Sequence, residues 1–354
     1  TNKGTKTLND TYLGQWVDPD LGNFVDDYVG CDVTRGLGIC YNGDDDDDGV
    51  NGYGLNPPAV GVDFFQGPDA DFDDGVDNDR DGIIDEGSNG LDDDGDSRID
   101  NIEEREKIVM SNFLYYNNNS DPINGNPSNK EMFYNYLQNI WGNGDLVMYD
   151  GGDGTDQSAN LPADFMFPGA TDQEFFWGTN GTAVSPWDEV SAGNAPADRR
   201  FLQSAGPFTL ESGQVNTVTI GVIWCRAGGG GATGSIACLK AADDLAQKLF
   251  DRNFDELNGP NPPEVKVVEM DKEVILSLTP STFFINEVSM NTENYVELDK
   301  SWANNPDVTD PFYRFQGYKV YQLKNNSVGA SDLDNTDLAR IVAQCDIQDG
   351  ISQL

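Results

Sequence analysis

Residues 73–103, DDGVDNDRDGIIDEGSNGLDDDGDSRIDNIE, constrain this chain's folding more than any other stretch. They carry too little apolar surface to offset the entropy of being ordered, so any order must come from ligands on their carboxylates. Shifted by 15 residues, the segment matches itself: Gly75 with Gly90, Val76 with Leu91, Asp77 with Asp92, Asp79 with Asp94, Asp81 with Asp96, Ile84 with Ile99 and Asp85 with Asp100. Carboxylates at loop positions 1, 3, 5 and 9 have the spacing by which a short loop wraps one Ca²⁺ in oxygen. The first copy supplies Asp77, Asp79, Asp81 and Asp85, with Gly82 at position 6 for the sharp turn and Ser88 at position 12. The second supplies Asp92, Asp94, Asp96 and Asp100, with Glu103 at position 12, where a bidentate carboxylate completes the shell. Position 7 contributes a backbone carbonyl, from Ile83 and Arg98. Ile84 and Ile99 fall at position 8, the apolar anchor.

The alternative is an acidic, disordered linker, since blocks of like charge are usually disordered. Residues 44–104 hold 22 acids against Arg80 and Arg98, about half the chain's net charge of −41. A merely solvated run needs no Asp at alternate positions, no turn Gly and no second copy in register. Calcium is therefore the reading carried forward. Asp44, Asp46, Asp48 and Gly49 fit positions 1, 3, 5 and 6 of a third loop, beyond which Gly52 and Leu55 supply no ligand. Asp18, Asp20, Asp26, Asp27 and Asp32 form another acid-rich cluster, either a cation site or a set of Asx turns. Hard oxygen donors in a flexible loop suit Ca²⁺, whereas zinc and copper draw on His and Cys, and the chain has no His. The flanks lack helical periodicity, which argues against a paired helix–loop–helix sensor.

Length predicts more than one domain. Eighteen Phe, 13 Tyr and 6 Trp suffice for real cores, and 39 Gly with 17 Pro favour turns and a mainly β architecture, a β-sandwich with a few short helices. A pI near 4.1 argues against nucleic acid and anionic membrane surfaces. No apolar run is long enough to span a bilayer. The start at Thr1, without Met or signal peptide, predicts a processed chain or a fragment. Cys31–Cys40 and Cys225–Cys238 each bracket a short loop that a disulfide could staple, the alternative being buried free thiols; Cys345 is the odd one out. Calcium loops of this kind fill outside a cell and not in cytosol, so loops and acidity together point to an extracellular, cell-surface location.

Along the chain, residues 1–41, GVDFFQGP (61–68) and IVMSNFLYYNN (108–118) predict strands of a first domain, 1–257, with a calcium-binding insert at about 42–104. NPSN (126–129) caps a short amphipathic helix with Met132, Phe133, Tyr136, Leu137, Ile140 and Trp141 on its buried side. GPFTL (206–210) and NTVTIGVIWCRA (216–227) predict a hairpin across the ESGQ turn. Ser235 predicts the cap of a helix reaching about Phe250, its stripe of Ile236, Leu239, Leu245 and Leu249 being core. NGPNPP is a linker at 258–263. VKVVEM, EVILSLT and FQGYKVYQLK then follow in the order of strands A, B and C of a fibronectin type III-like sandwich over 264–354, incomplete at its C-terminus.

The Asp-rich loops resemble thrombospondin type 3 repeats. LGQWVDPDLGNFVDDYVGCD (13–32), PPAVGVDFFQGP (57–68), YNYLQNIWGNG (134–144), SAGPFTLESGQ (204–214), LKAADDLAQKLFDRNF (239–254) and FQGYKVYQLK (315–324) resemble large secreted surface proteins of Bacteroidota carried by the type IX secretion system. That resemblance implies a secreted protein of β-sandwich modules with a structural role for calcium, and further β domains beyond Leu354. It carries no catalytic motif.

Absence of His removes Ser-His-Asp, Cys-His and HExxH chemistry, and neither a GxSxG elbow nor a GxxxxGK phosphate loop is present. Carboxylate-pair glycoside hydrolysis stays formally open, as a weak signal in so acidic a chain. Trp177 and Trp187 either stack on glycans or plug a loop core. The reading that results is a non-enzymatic, calcium-stabilised structural or adhesive surface protein. Its partners are other copies, other cell-surface proteins or glycans, and a carbohydrate- or ligand-binding module is the alternative.

Overall fold

Alternating apolar and polar residues set most of the strands where the sequence predicts them. The computed structural model describes residues 1–91, 99, 105–251, 254, 262–285, 288–298, 310–325, 328, 329, 333 and 335–347, in two units, Thr1–Phe250 and Asp251–Leu354. The first contains β1 (Leu8–Val17), β2 (Asp27–Asp32), β3 (Leu37–Asn42), β4 (Asp46–Asp47), β5 (Gly54–Leu55), β6 (Ala59–Gln66), β7 (Asn112–Asn117), α1 (Lys130–Leu137), α2 (Glu189–Ala192), β8 (Arg199–Leu210), β9 (Thr219–Cys225) and α3, which runs from Gly231 to Asp251. Two antiparallel sheets, β1-β8-β7 and β2-β3-β6-β9, bury one core between them. Phe113, Phe201 and Phe208 come from one sheet and Val29, Cys40, Val62 and Phe64 from the other.

The sheets approach closely at Gly38, where an added Cβ would lie 2.3 Å from Gln203 Oε1 and 2.5 Å from the Phe201 ring. Gln203 is fully buried there, its Nε2 donating to the Val62 carbonyl (2.9 Å) and to Gln15 Oε1 (2.9 Å). On the outer face of the second sheet, Leu37, Ile39, Ala59 and Ile223 meet Leu239 of α3. A Cys225–Cys238 disulfide ties that helix to β9. On the outer face of the first sheet, Trp16 packs against Phe133 and Tyr136 of α1. Asn129 caps α1 as its sequence predicts, accepting from the Met132 amide at 3.0 Å.

Several expectations are corrected. β8 and β9 form no hairpin: β1 and β7 occupy both edges of β8, so β9 crosses to the other sheet and pairs with β6. The turn between them is tied instead to the chain's start, through Asn2 N to Gln214 O (2.9 Å) and Gly213 N to Asn2 O (2.8 Å). α3 begins one turn before Ser235. That residue's Oγ accepts from the Ala227 amide (3.1 Å), and Asp45 accepts from Ala232 N at the helix start (3.1 Å). Cys31 and Cys40 are buried free thiols. The register sets Cys31 opposite Gly38 and Cys40 opposite Val29, and such diagonal neighbours sit about 7–8 Å apart, beyond a disulfide's reach. The acidic insert starts after β6, not at 42, because β6 is a central strand of its sheet.

In the second unit β10 (Glu264–Met270) pairs with β11 (Glu273–Thr279), β12 (Thr282–Ile285) with β13 (Val288–Asn291), β14 (Val296–Leu298) with β15 (Phe312–Arg314), and β16 (Gly317–Leu323) with β17 (Ala339–Asp346). Strands lie at all three places expected of A, B and C. Among the described residues, however, each hairpin stands alone and no sandwich is assembled from them.

The Gly38 contact gives a direct test. Gly38→Ala is expected to lower stability by about 1–3 kcal/mol through overpacking, and Gly228→Ala, which meets no atom within 4 Å, by no more than about 0.5 kcal/mol. Equal urea midpoints for the two variants would contradict the close approach of the sheets.

Candidate metal centre

The acidic insert hangs from a closed base. Ile108 N donates to Pro68 O (2.8 Å), Ala70 N to Glu106 O (3.0 Å), and Lys107 pairs with Asp69. Beyond that base, one oxygen each of Asp77, Asp79 and Asp81 lie within 4.8 Å of one another. The sequence folds this way because each carboxylate takes an amide a few residues on. Asp79 Oδ1 accepts from Asp81 N (3.1 Å), Asp81 Oδ1 from Ile83 N (2.8 Å) and Asp77 Oδ2 from Gly82 N (3.1 Å). Gly82 has φ +97°, which only glycine adopts freely.

Three carboxylates so close repel by about 1 kcal/mol per pair in water, and about 4 kcal/mol at the effective dielectric of a protein surface. Burial raises the Asp79 pKa, and Asp81, Glu106 and Asp77 push it further. Asp77 Oδ1 is shut off from solvent with no hydrogen-bond partner among the described residues. No Lys or Arg pairs with any of the three among those residues. An oxygen-only donor set with one orphaned buried oxygen fits a hard metal cation.

Two residues outside the ligand pattern hold the loop in place. Glu106, 6% exposed, accepts from Asn78 N through Oε2 and from Asp85 N through Oε1, both at 2.6 Å. Arg80, between two of the clustered Asp residues, turns the other way. Its guanidinium lies 5.2 Å from the Phe165 ring centroid and 4.9 Å from that of Trp177, and its Nη2 donates to Met110 O (3.1 Å). Cation–π contacts of this kind contribute about 0.5–2 kcal/mol each. A cleft of about 260 Å³ beside the loop is lined by Asp79 and Arg80 together with Arg35, Phe64 and Trp177. The loop therefore forms part of that cleft's wall.

The other expected ligands behave differently. Asp85 has φ +54° and accepts from Asp74 N and Gly75 N, both at 3.0 Å, closing the loop rather than joining the cluster. Ile83 lies two residues past Asp81, to which its amide donates. Ile84 is 51% exposed and Ile99 is also exposed, so neither is an anchor; Arg80 fills that role. Asp92, Asp94, Asp96, Arg98, Asp100 and Glu103 lie outside the described residues. Asp44, Asp46 and Asp48 are exposed and are not drawn into a cluster among the described residues. In the short β4–β5 hairpin it is Asp47 that turns inward, while Asp45, exposed, reaches the start of α3. Asp47 is buried and accepts from Asn23 N (3.1 Å) and Tyr53 N (2.8 Å).

Asp18 and Asp20 do converge, on Asp198. No local spacing signals Asp198; the bridge between Asp27 and Ala197 brings it in. Arg200 already pairs with Asp18 there (2.7 Å), so this cluster has a cation of its own. Of the remaining acids near Asp18, Asp27 is pushed to about 8 by burial and accepts from Leu21 N (3.1 Å). Burial alone would raise Asp32, but Lys240 (2.8 Å) and Arg35 (2.9 Å) outweigh it and hold it ionised. Trp187 is buried core, and Trp177 is stacked on Phe175 at 4.5 Å with Arg80 against its ring. Trp187 is thus no open platform for a glycan, whereas Trp177 is half-buried and lines the cleft.

No protein-family model, no curated protein and no solved structure matches this chain. No helix among the described residues is long and apolar enough to cross a membrane.

Glu106→Ala removes the acceptor of two loop amides and is expected to cost about 1–3 kcal/mol of local stability. Hydrogen exchange at Asn78 and Asp85 should then accelerate at least tenfold. Unchanged exchange would show that other contacts hold the loop.

Proposed function

We propose that this chain is an extracellular, cell-surface structural or adhesive protein whose Asp-rich insert is made rigid by Ca²⁺. One observation carries the reading. Asp77, Asp79 and Asp81 converge with no ion pair to Lys or Arg among the described residues, while Arg80 in the same loop, whose charge still feels Asp77, is clamped between two aromatic rings of the core. A cation there replaces mutual repulsion with coordination and fixes the backbone that aims Arg80 inward. Calcium then acts as a fastener between insert and sandwich.

The Cys225–Cys238 disulfide is compatible with an oxidising, extracellular setting. The resemblance to type IX secretion cargo, to thrombospondin type 3 repeats and to a fibronectin type III-like module belongs to the same proposal. So do partners among other copies or other cell-surface proteins. The reading assigns no catalysis, in keeping with a chain that has no His.

Calorimetric titration of the chelator-treated chain is expected to show at least two calcium sites, one of them lost in the triple variant Asp77→Asn, Asp79→Asn, Asp81→Asn. Undiminished binding in that variant would sink the assignment. Arg80→Met separates binding from fastening. It should keep calcium affinity within about threefold yet leave residues 69–91 open to protease at least tenfold faster in saturating calcium. If that variant stays as resistant as the parent chain, Arg80 does not couple the loop to the core.

A further inference from the structure

We propose that Asp63 and Asp243 share one proton across the interface between β6 and α3, and that this proton holds the C-terminal half of α3 on its sheet. Asp63 pairs in register with Leu37 and Gly221, so it projects from the face of the sheet that α3 covers. It is 1% exposed, and Asp243 of α3 is 2% exposed. The two carboxyl groups are within hydrogen-bonding reach of each other. Yet Oδ1 of each is shut off from solvent with no donor among the described residues. Two facing carboxylates cannot both stay ionised in so dry a place without a counter-charge.

The surrounding charges do not supply one. From the β2–β3 turn come Asp32 and Arg35, and from α3 come Lys240 and Asp244. Lys240 is taken by Asp32 (2.8 Å), and Arg35 by Asp32 (2.9 Å) and Asp244 (2.8 Å). Among the described residues, then, both cations make their ion pairs outside the pair, Arg35 acting on Asp243 through its charge alone. A proton between Asp63 and Asp243 is the remaining counter-charge. Burial, followed by the charge of Asp243, lifts Asp63 to about 8; burial lifts Asp243 to about 6 against the pull of Arg35. As interacting groups they titrate as a pair.

The sign follows. Both acids bind the proton more tightly with α3 docked than with it released, where they regain ordinary carboxylate behaviour. Docking is therefore strongest in acid. It weakens as pH rises from the ordinary carboxylate range to about 8, above which the pair is ionised in both states. The disulfide at Cys238 pins the first half of the helix, so loosening is confined to the part after Leu239. That part includes Phe250, stacked on Phe65 with centroids 5.8 Å apart, and ends where the chain enters the second unit. Acidity tightens this exit segment and alkalinity loosens it.

Hydrogen exchange on the full chain from pH 5 to 9, corrected for intrinsic rates and run with calcium and with EDTA, tests this. In the parent chain, protection of residues 240–251 should fall with pH, by up to about tenfold per unit, and level off above about pH 8. Asp63→Asn, which offers Asp243 a permanent donor, should make protection independent of pH; Asp243→Asn is the reciprocal variant. A flat parent profile, or the same slope in parent and both variants, would overturn the proposal. So would protection at pH 9 that calcium restores in the parent chain and not in Asp63→Asn, since the pair would then bind a metal.

Discussion

Every buried carboxylate in this chain has to find a donor, a cation or a proton, because 62 acidic side chains face 21 basic ones. The structure distributes these partners unevenly, and the distribution decides where it is rigid. Backbone amides serve Glu106, Asp47 and Asp172, the last accepting from Trp177 N and Gly178 N at 2.8 and 2.9 Å. Scarce cations go to the most enclosed acids: Arg199 to Glu189 (2.8 Å), and Lys240 with Arg35 to Asp32. Removing one partner from such a buried pair typically costs about 3–5 kcal/mol, because the other charge is left alone. Among the described residues, the Asp77–Asp79–Asp81 cluster and the Asp63–Asp243 pair are two of the places that no ion pair serves, the enclosed Asp27 being another. The first is partly open and suited to an external cation; the second is closed and suited only to a proton.

The same constraint explains how a segment with little core of its own joins a folded sandwich. Its grip comes from Arg80, whose flat guanidinium packs on Phe165 and Trp177 while Met110 takes one of its protons in a hydrogen bond. Burial makes that charge harder to hold, and Asp172, Asp164 and Asp77 offset the penalty. On the proposal above, a cation held by Asp79 and Asp81 would order the backbone on either side of Arg80 and so favour, without being required for, the seating of its guanidinium.

Much of this was legible in the sequence. Period-two alternation located β1, β6 and β7, the Asn129 cap and the Cys225–Cys238 bridge were readable locally, and alternate Asp residues marked the cluster at 77–81. What could not be read depended on the third dimension. Alternation shows that β8 and β9 are strands but not that β8 has both edges filled. Asp198 and Glu106 are single acids in a chain full of them, with no spacing to mark their role. In the run at 44–48 every position is Asp, so composition cannot reveal the phase, and the hairpin turns Asp47 inward. Arg80 reads as one stray positive charge in an acidic loop until its aromatic neighbours, far along the chain, are in place.

The most direct measurement is the anomalous difference map from crystals of the full chain grown in calcium. The account predicts a peak about 2.3–2.6 Å from oxygens of Asp77, Asp79 and Asp81, the coordination distance of Ca²⁺, with Asp77 Oδ1 among the ligands and Arg80 still seated between Phe165 and Trp177. No peak at the three carboxylates in saturating calcium, with Asp77 Oδ1 hydrogen-bonded to some other group, would contradict it.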